Sequence, residues 1–189
     1  MDAPNHESTL GVGRRIAVIG TAGSGKTTLA GKLARRLGGA HIELDALFWG
    51  PEWTPVAPEL FRERVQEAVR APAWVSCGNY TTLASDVIWT AADTLVWLDY
   101  GLPLIFRRLF VRSVTRVFRR TQLWGNNRET LRAQFLSRDS LFLWALKTHG
   151  KHRREWPERL HEPRFAHLRL VHLRSPKLTE RFLASIAAT

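Results

Sequence analysis

Arg15-Ile16-Ala17-Val18-Ile19-Gly20-Thr21-Ala22-Gly23-Ser24-Gly25-Lys26-Thr27 is the stretch on which the fold turns. The apolar run from Ile16 to Ile19 reads as a buried strand. Gly20 to Thr27 fits G-x-x-x-x-G-K-[ST], a loop that wraps phosphate. Gly20, Gly23 and Gly25 allow backbone torsions closed to other residues, so successive N–H groups can converge on an anion. Lys26 brings a point charge for outer phosphates and Thr27 a hydroxyl for magnesium. Gly20, Thr21, Ala22, Gly23, Ser24, Gly25, Lys26, Thr27 and Thr28 are therefore the candidate phosphate and nucleotide contacts. The spacing predicts a helix from Lys26 to Leu37, with Leu29, Leu33 and Leu37 inward and Lys32, Arg35 and Arg36 outward. Its positive dipole end points at the same anion. A glycine-rich turn that binds nothing is the competing reading, disfavoured because strand, loop and amphipathic helix come in the order the motif requires.

Working outward, 189 residues suit one α/β domain over residues 14–189 behind a flexible lead over 1–13. No apolar run approaches a membrane span, and the lead lacks the apolar centre of a signal peptide. A single cysteine, Cys77, excludes an internal disulfide and cysteine-built metal sites, and fits a reducing cytoplasm. None of the seven histidines is paired at metal-ligand spacing beside acids. The net charge of +11 is uneven: Gly101 to Arg174 holds 17 Lys and Arg against 5 Asp and Glu, whereas the remainder nets −1. Such a field expects a polyanionic partner, whether nucleotide, phosphorylated metabolite or nucleic acid.

After Gly38-Gly39, Ala40 to Leu44 reads as a second strand closed by Asp45. A residue there faces the ligand crevice of an open parallel sheet, so Asp45 is a candidate to accept a proton or hydrogen bond from the attacking group, or to orient a magnesium-bound water; an N-cap is the alternative. Phe48 to Pro58 carries three prolines and two tryptophans and reads as irregular. Trp49 and Trp53 are candidates to stack on a substrate ring, or to pack under a loop. The spacing predicts a helix over Glu59–Arg70, which completes an insertion over about 46–71. A third strand, Ala73 to Cys77, leads into Gly78-Asn79-Tyr80, where Asn79 and Tyr80 are candidate substrate donors. A helical segment over Ala84–Ala91 and a fourth strand over Thr94–Leu98 follow, closed by Asp99, the reserve candidate for an acid beside a metal.

Pro103 opens a helix whose expected apolar face is Leu102, Ile105, Phe106, Leu109, Phe110, Val114 and Val117, with Arg108, Arg112, Arg116 and Arg119 on another face. It leads into a polar, basic segment, about 119–129, with the composition of a lid. Arg116, Arg120 and Arg128 are candidates to neutralise a transferring phosphoryl group. Asn126 and Glu129 have capping-box spacing for a helix expected to bury Leu131, Phe135, Leu136, Leu141, Phe142, Trp144, Ala145 and Leu146, to break near Ser137–Asp139 and to end in the cationic run Lys147–Arg154, read as a solvated tail in preference to a contact with adenine or phosphate. Leu168–Leu173 reads as a fifth strand and Ser175-Pro176 as the start of a last helix to about Ala187.

With these elements in order, the chain resembles the adenylate-kinase-like P-loop kinases, and within them the small bacterial proteins labelled FlaR-type or DNA topology modulation proteins. The residues that carry this are Gly20–Thr27, Leu44–Trp49 with Trp53-Thr54-Pro55, Gly78-Asn79-Tyr80, Val96–Asp99, Trp124–Glu129 and Leu173–Pro176. The resemblance implies an α/β three-layer sandwich on a five-stranded parallel sheet in the order 2-3-1-4-5, with a substrate-binding insertion and a lid. It also implies ATP and Mg2+, transfer of the γ-phosphoryl group, and a nucleotide-like or other small acceptor. Such proteins carry an acid immediately before Gly-Asn-Tyr; this chain has Cys77. The alternative expectation is an ATP-binding regulatory protein that contacts nucleic acid through its basic 107–174 region.

Overall fold

The computed structural model describes residues 12–118, 124 and 140–186. Five strands, β1 (Arg15–Gly20), β2 (Ala40–Glu43), β3 (Trp74–Cys77), β4 (Thr94–Leu98) and β5 (Arg169–Leu173), form one sheet in the order β2-β3-β1-β4-β5. Every pairing is parallel. The central strands are buried on both faces, which is why β1, β3 and β4 are mostly apolar, with Ser76 and Thr94 the buried polar exceptions. Alternation along β1 divides the interior: Ile16 and Val18 join one core with α1 (Lys26–Leu37), and Ala17 and Ile19 join the other. The first core also takes Ile105 and Leu109 of α5 (Leu102–Phe118) and Ile186, just past α7 (Pro176–Ser185). The second is closed by Phe61 and Val65 of α3 (Pro58–Ala68), Ile88 and Trp89 of α4 (Ser85–Ala91), and Trp156 of α6 (Leu141–Leu160).

Three expectations are corrected. The second strand stops at Glu43, and Leu44–Phe48 is a short helix, α2, with Asp45 in its first turn. β2 is an edge strand paired to β3 alone, and their register ends at Glu43 opposite Cys77, so Leu44 has no ladder partner. Second, the 141–160 helix does not end in its cationic run but continues through it: Lys147, Lys151, Arg153 and Arg154 are exposed as expected of a solvated run, whereas Ala145, Thr148, His149, His152 and Trp156 form the helix's buried face and Leu143, Trp144 and Leu146 face solvent. That face was set by what it meets, the polar ends of β1, β4 and β5. Third, Phe110 is 54% exposed rather than on the apolar face of α5, whose buried positions include Ile105, Leu109 and Ser113. Ser140 is the N-cap of α6, its hydroxyl accepting from the Phe142 N–H, and the expected break at 137–139 lies outside the described residues. The lid over 119–129, apart from Trp124, the capping box, Leu131–Leu136 and the lead up to residue 11 lie outside the described residues. Among the described residues no helix is long and apolar enough to cross a membrane.

Candidate active site

The loop from Gly20 to Gly25 joins β1 to α1 at the carboxyl edge of the sheet. Gly23 and Gly25 sit at φ 82° and 97°, a region that side chains disfavour, and a Cβ on Gly23 would lie 2.6 Å from Leu109 Cγ. Tight passage under α5 thus demands glycine. The loop is tied at both ends. Gly20 N–H donates to Asn79 Oδ1 at 3.2 Å, and Asn79 Nδ2 returns a bond to Gly20 O at 2.9 Å. At the far side Arg108 donates to Ser24 O at 2.8 Å, its guanidinium lying over the Tyr100 ring. From α6, His149 Nδ1 meets the Thr21 hydroxyl at 3.1 Å.

Lys26 curls back into the loop, its ammonium donating to Gly20 O at 2.7 Å and Thr21 O at 3.2 Å. Enclosure of that ammonium lowers its pKa to about 8, opposed by the attraction of Asp45 and aided by Arg112. Thr27 and Thr28 are exposed in the first turn of α1. Asp45 lies close enough to act on the charge of Lys26, and its Oδ1 accepts from the Tyr80 hydroxyl at 2.6 Å. Burial, then the negative charge of Asp45, drives the Tyr80 pKa far above its ordinary value, so the phenol stays a donor. Phe48 and Phe61 hold the Tyr80 ring from two sides, with centroids 4.9 and 4.8 Å away. Four of the predicted residues, Lys26, Thr27, Asp45 and Tyr80, are thus brought together, with Trp49 and Trp53 behind them.

Two residues are engaged otherwise than expected, and Cys77 stands where the sequence placed it. Asn79, a candidate substrate donor, spends its amide on Gly20. Asp99, the reserve acid, spends one carboxylate oxygen on Arg153 Nε at 2.6 Å and the other on His172 Nε2 at 3.0 Å, which pins α6 to the sheet edge. Cys77 lies at the expected acid's place, with Sγ 3.7 Å from both the Thr27 hydroxyl and His41 Nε2. Burial pushes its thiol up to about 11, so it brings no charge at neutral pH. Arg116 occupies the last turn of α5, whereas Arg120 and Arg128 lie outside the described residues. Sequence reasoning placed Arg108 on the arginine stripe and His149 in the cationic run without assigning either to the loop, and passed over Glu43. Glu43 faces Cys77 across the β2–β3 ladder and repels its thiolate; its position two residues before Asp45 was the one available signal.

A β1–loop–α1 unit, the ties from Asn79 and Arg108, and an acid in the first turn of α2 form an arrangement that could hold a phosphate chain with a proton acceptor beside it. No family model and no curated protein matches the chain. Among solved structures it is similar to shikimate kinase from Bacteroides thetaiotaomicron, with a TM-score of 0.53 and 19% identity over 90% of this chain and 94% of that one. It is also similar to shikimate kinase from Acinetobacter baumannii, solved in complex with shikimate, with a TM-score of 0.50 and 18% identity over 89% of each chain. The fold is that of the P-loop kinases. A likeness at this identity extends to architecture, and the P-loop kinase sheet order and flanking helices are those described above.

Proposed function

We propose that this protein is a kinase that uses ATP and Mg2+ to phosphorylate a small acceptor, nucleotide-like or otherwise, in the reducing cytoplasm. The observation that carries the reading is the pairing of an enclosed Lys26 with Asp45, the first held by the loop's carbonyls and the second by Tyr80. In this reading loop N–H groups and the α1 dipole bind the β- and γ-phosphates, while Lys26 swings from Gly20 O and Thr21 O to the γ-phosphoryl oxygens. Asp45 orients the acceptor hydroxyl and takes its proton. Arg116, Arg120 and Arg128 are proposed to close on the transferring group, with Arg108 already at the loop.

Magnesium fits the donor set. The Thr27 hydroxyl is a hard oxygen ligand at the loop's exit, and no group of three or more His, Cys, Asp or Glu among the described residues could hold a metal ion by itself. That suits an ion held by one hydroxyl together with nucleotide phosphates. When bound, it supplies neutralisation of phosphate charge. The resemblance to FlaR-type proteins is compatible with this chemistry and belongs to the proposal. Within the basic 107–174 stretch Arg108, Arg153 and Arg159 bond Ser24 O, Asp99 and Thr81 O, contacts that serve the fold rather than a nucleic-acid surface.

Labelled Mg-ATP incubated with the full chain and a panel of nucleosides, nucleotides and small metabolites tests the reading. Lys26→Ala is expected to lower transfer by about 100-fold or more, since it removes transition-state charge stabilisation. Equal transfer by that variant would overturn the proposal.

A further inference from the structure

We propose that His149 is a positioning residue of the phosphate loop, holding Thr21 from the β5 side of the sheet as Asn79 holds Gly20 from the β3 side, and that this hold sets the affinity for the polyphosphate of the nucleotide. The assignment rests on the kinase reading and adds a residue to its nucleotide site. The Thr21 hydroxyl and His149 Nδ1 are 3.1 Å apart across 128 positions of sequence, and both residues lie in the interior, 4% and 6% exposed. Water cannot take over a bond lost there. The abandoned polar group keeps its desolvation cost, so the pair counts for more than the same bond at the surface.

Thr21 is a joint of the loop. Its carbonyl oxygen accepts from the Ser24 N–H at 3.0 Å, which closes the turn, and from Lys26 Nζ at 3.2 Å. The residue that α6 grips by its hydroxyl is therefore the one on whose carbonyl both the turn and the Lys26 ammonium depend. Asn79 grips the preceding residue, Gly20, through its N–H and its carbonyl together. Strand order puts these holds on opposite sides of β1. Asn79 follows β3, whereas α6 is anchored over β4 and β5, where Arg153 and His172 bond the two oxygens of Asp99. Held from both sides, the loop presents its N–H groups to an anion with less ordering left to do on binding.

Three polar residues lie on the buried face of α6, and two of them are engaged within the helix: the Thr148 hydroxyl donates to Trp144 O at 2.7 Å, and the His152 ring stacks on Trp156. His149 is the one that bonds another element. Arg153, one turn further along, fixes the helix beside it through Asp99. Burial, then the positive charge of Arg153, lower the His149 pKa against the opposing pull of Asp99, so near neutral pH the ring is uncharged. It brings no charge to a bound phosphate. What it supplies is the placement of Thr21.

Mg-ATP titrated into the full chain by calorimetry reads this hold. His149→Ala is expected to weaken binding about tenfold, the order of one buried hydrogen bond, and to weaken Mg-tripolyphosphate, which lacks base and sugar, by the same factor. Thr21→Val removes the hydroxyl at nearly constant volume and is expected to match it, with the double variant binding no more weakly than either single, because all three delete one bond. His149→Asn sets an amide where Nδ1 stood and is expected to recover most of the affinity, which restored packing alone would not do; it also decides the point should His149→Ala fold poorly. Wild-type affinity in His149→Ala, additive losses in the double variant, no recovery in His149→Asn, or a loss seen with ATP and absent with tripolyphosphate overturns the assignment and leaves the kinase reading standing. Absence of Mg-ATP binding by the wild type removes both.

Discussion

Lowering the pH from 7 to 5 is expected to destabilise the wild-type protein by about 2 kcal/mol more than a His152→Phe variant. His152 lies in the docked face of α6, 8% exposed and stacked on Trp156 with centroids 4.1 Å apart and planes at 11°. Burial, then the positive charges of Lys26 and Lys151 and the neighbouring His149, lower its pKa from 6.5 to about 4. Above pH 6.5 the ring is neutral folded and unfolded, and its titration contributes nothing to stability. As the pH falls from 6.5 towards 4 the unfolded chain takes up a proton that the native ring refuses, so stability declines by up to about 1.4 kcal/mol per pH unit. Below about 4 both states are protonated and the loss levels off near 3 kcal/mol. Urea unfolding followed by tryptophan fluorescence at pH 7, 6 and 5 measures this directly. Phenylalanine keeps the stack and removes the titration. The His149 pKa is lowered too, chiefly by burial and secondarily by Arg153, but that share is common to both proteins. Parallel stability curves for wild type and His152→Phe would refute the account.

Asn79→Ala removes both bonds to Gly20 and is expected to weaken ATP binding about tenfold by calorimetry, at roughly 1 kcal/mol per bond partly offset by water; unchanged affinity would show that the loop holds its shape without the tie. Asp99→Asn is expected to cost about 1–3 kcal/mol in unfolding experiments, because it weakens the anchor for Arg153 and His172, with the magnesium dependence of transfer unaltered. A raised magnesium requirement with unchanged stability would return Asp99 to the metal.

How much of this was legible follows from where each residue's meaning lies. β1, the loop and α1 could be read because their partners lie within a short span: glycine torsions, an apolar run and a 3.6-residue stripe are local properties. The sheet order followed from the resemblance, which those residues and the later strand ends carried. Asp45 was found but placed on a strand end, because β2's length is set by where β3 stops pairing, at Cys77. The buried face of α6 was missed for a related reason. Periodicity favours apolar positions such as Trp144 and Leu146, yet Thr148, His149 and His152 are buried, His149 against the Thr21 hydroxyl 128 positions away.

The same distinction separates the two halves of the Gly78-Asn79-Tyr80 segment. As sequence, both polar residues pointed to the substrate with equal force. In the fold, Asn79 reaches across 59 positions to Gly20 and becomes part of the loop's frame, and Tyr80 reaches across 35 to Asp45 and becomes part of the acid's frame. Neither amide nor phenol is then offered first to a ligand. In the proposed kinase they would hold the phosphate loop and the proton acceptor in one rigid relation, a condition for in-line transfer, where small misplacements are costly. Cys77 ends the strand from which both side chains spring. An acid there would have placed a third charge beside Asp45 and Glu43. A neutral thiol against Thr27 adds no such charge, which suits the proposed proton acceptor at Asp45.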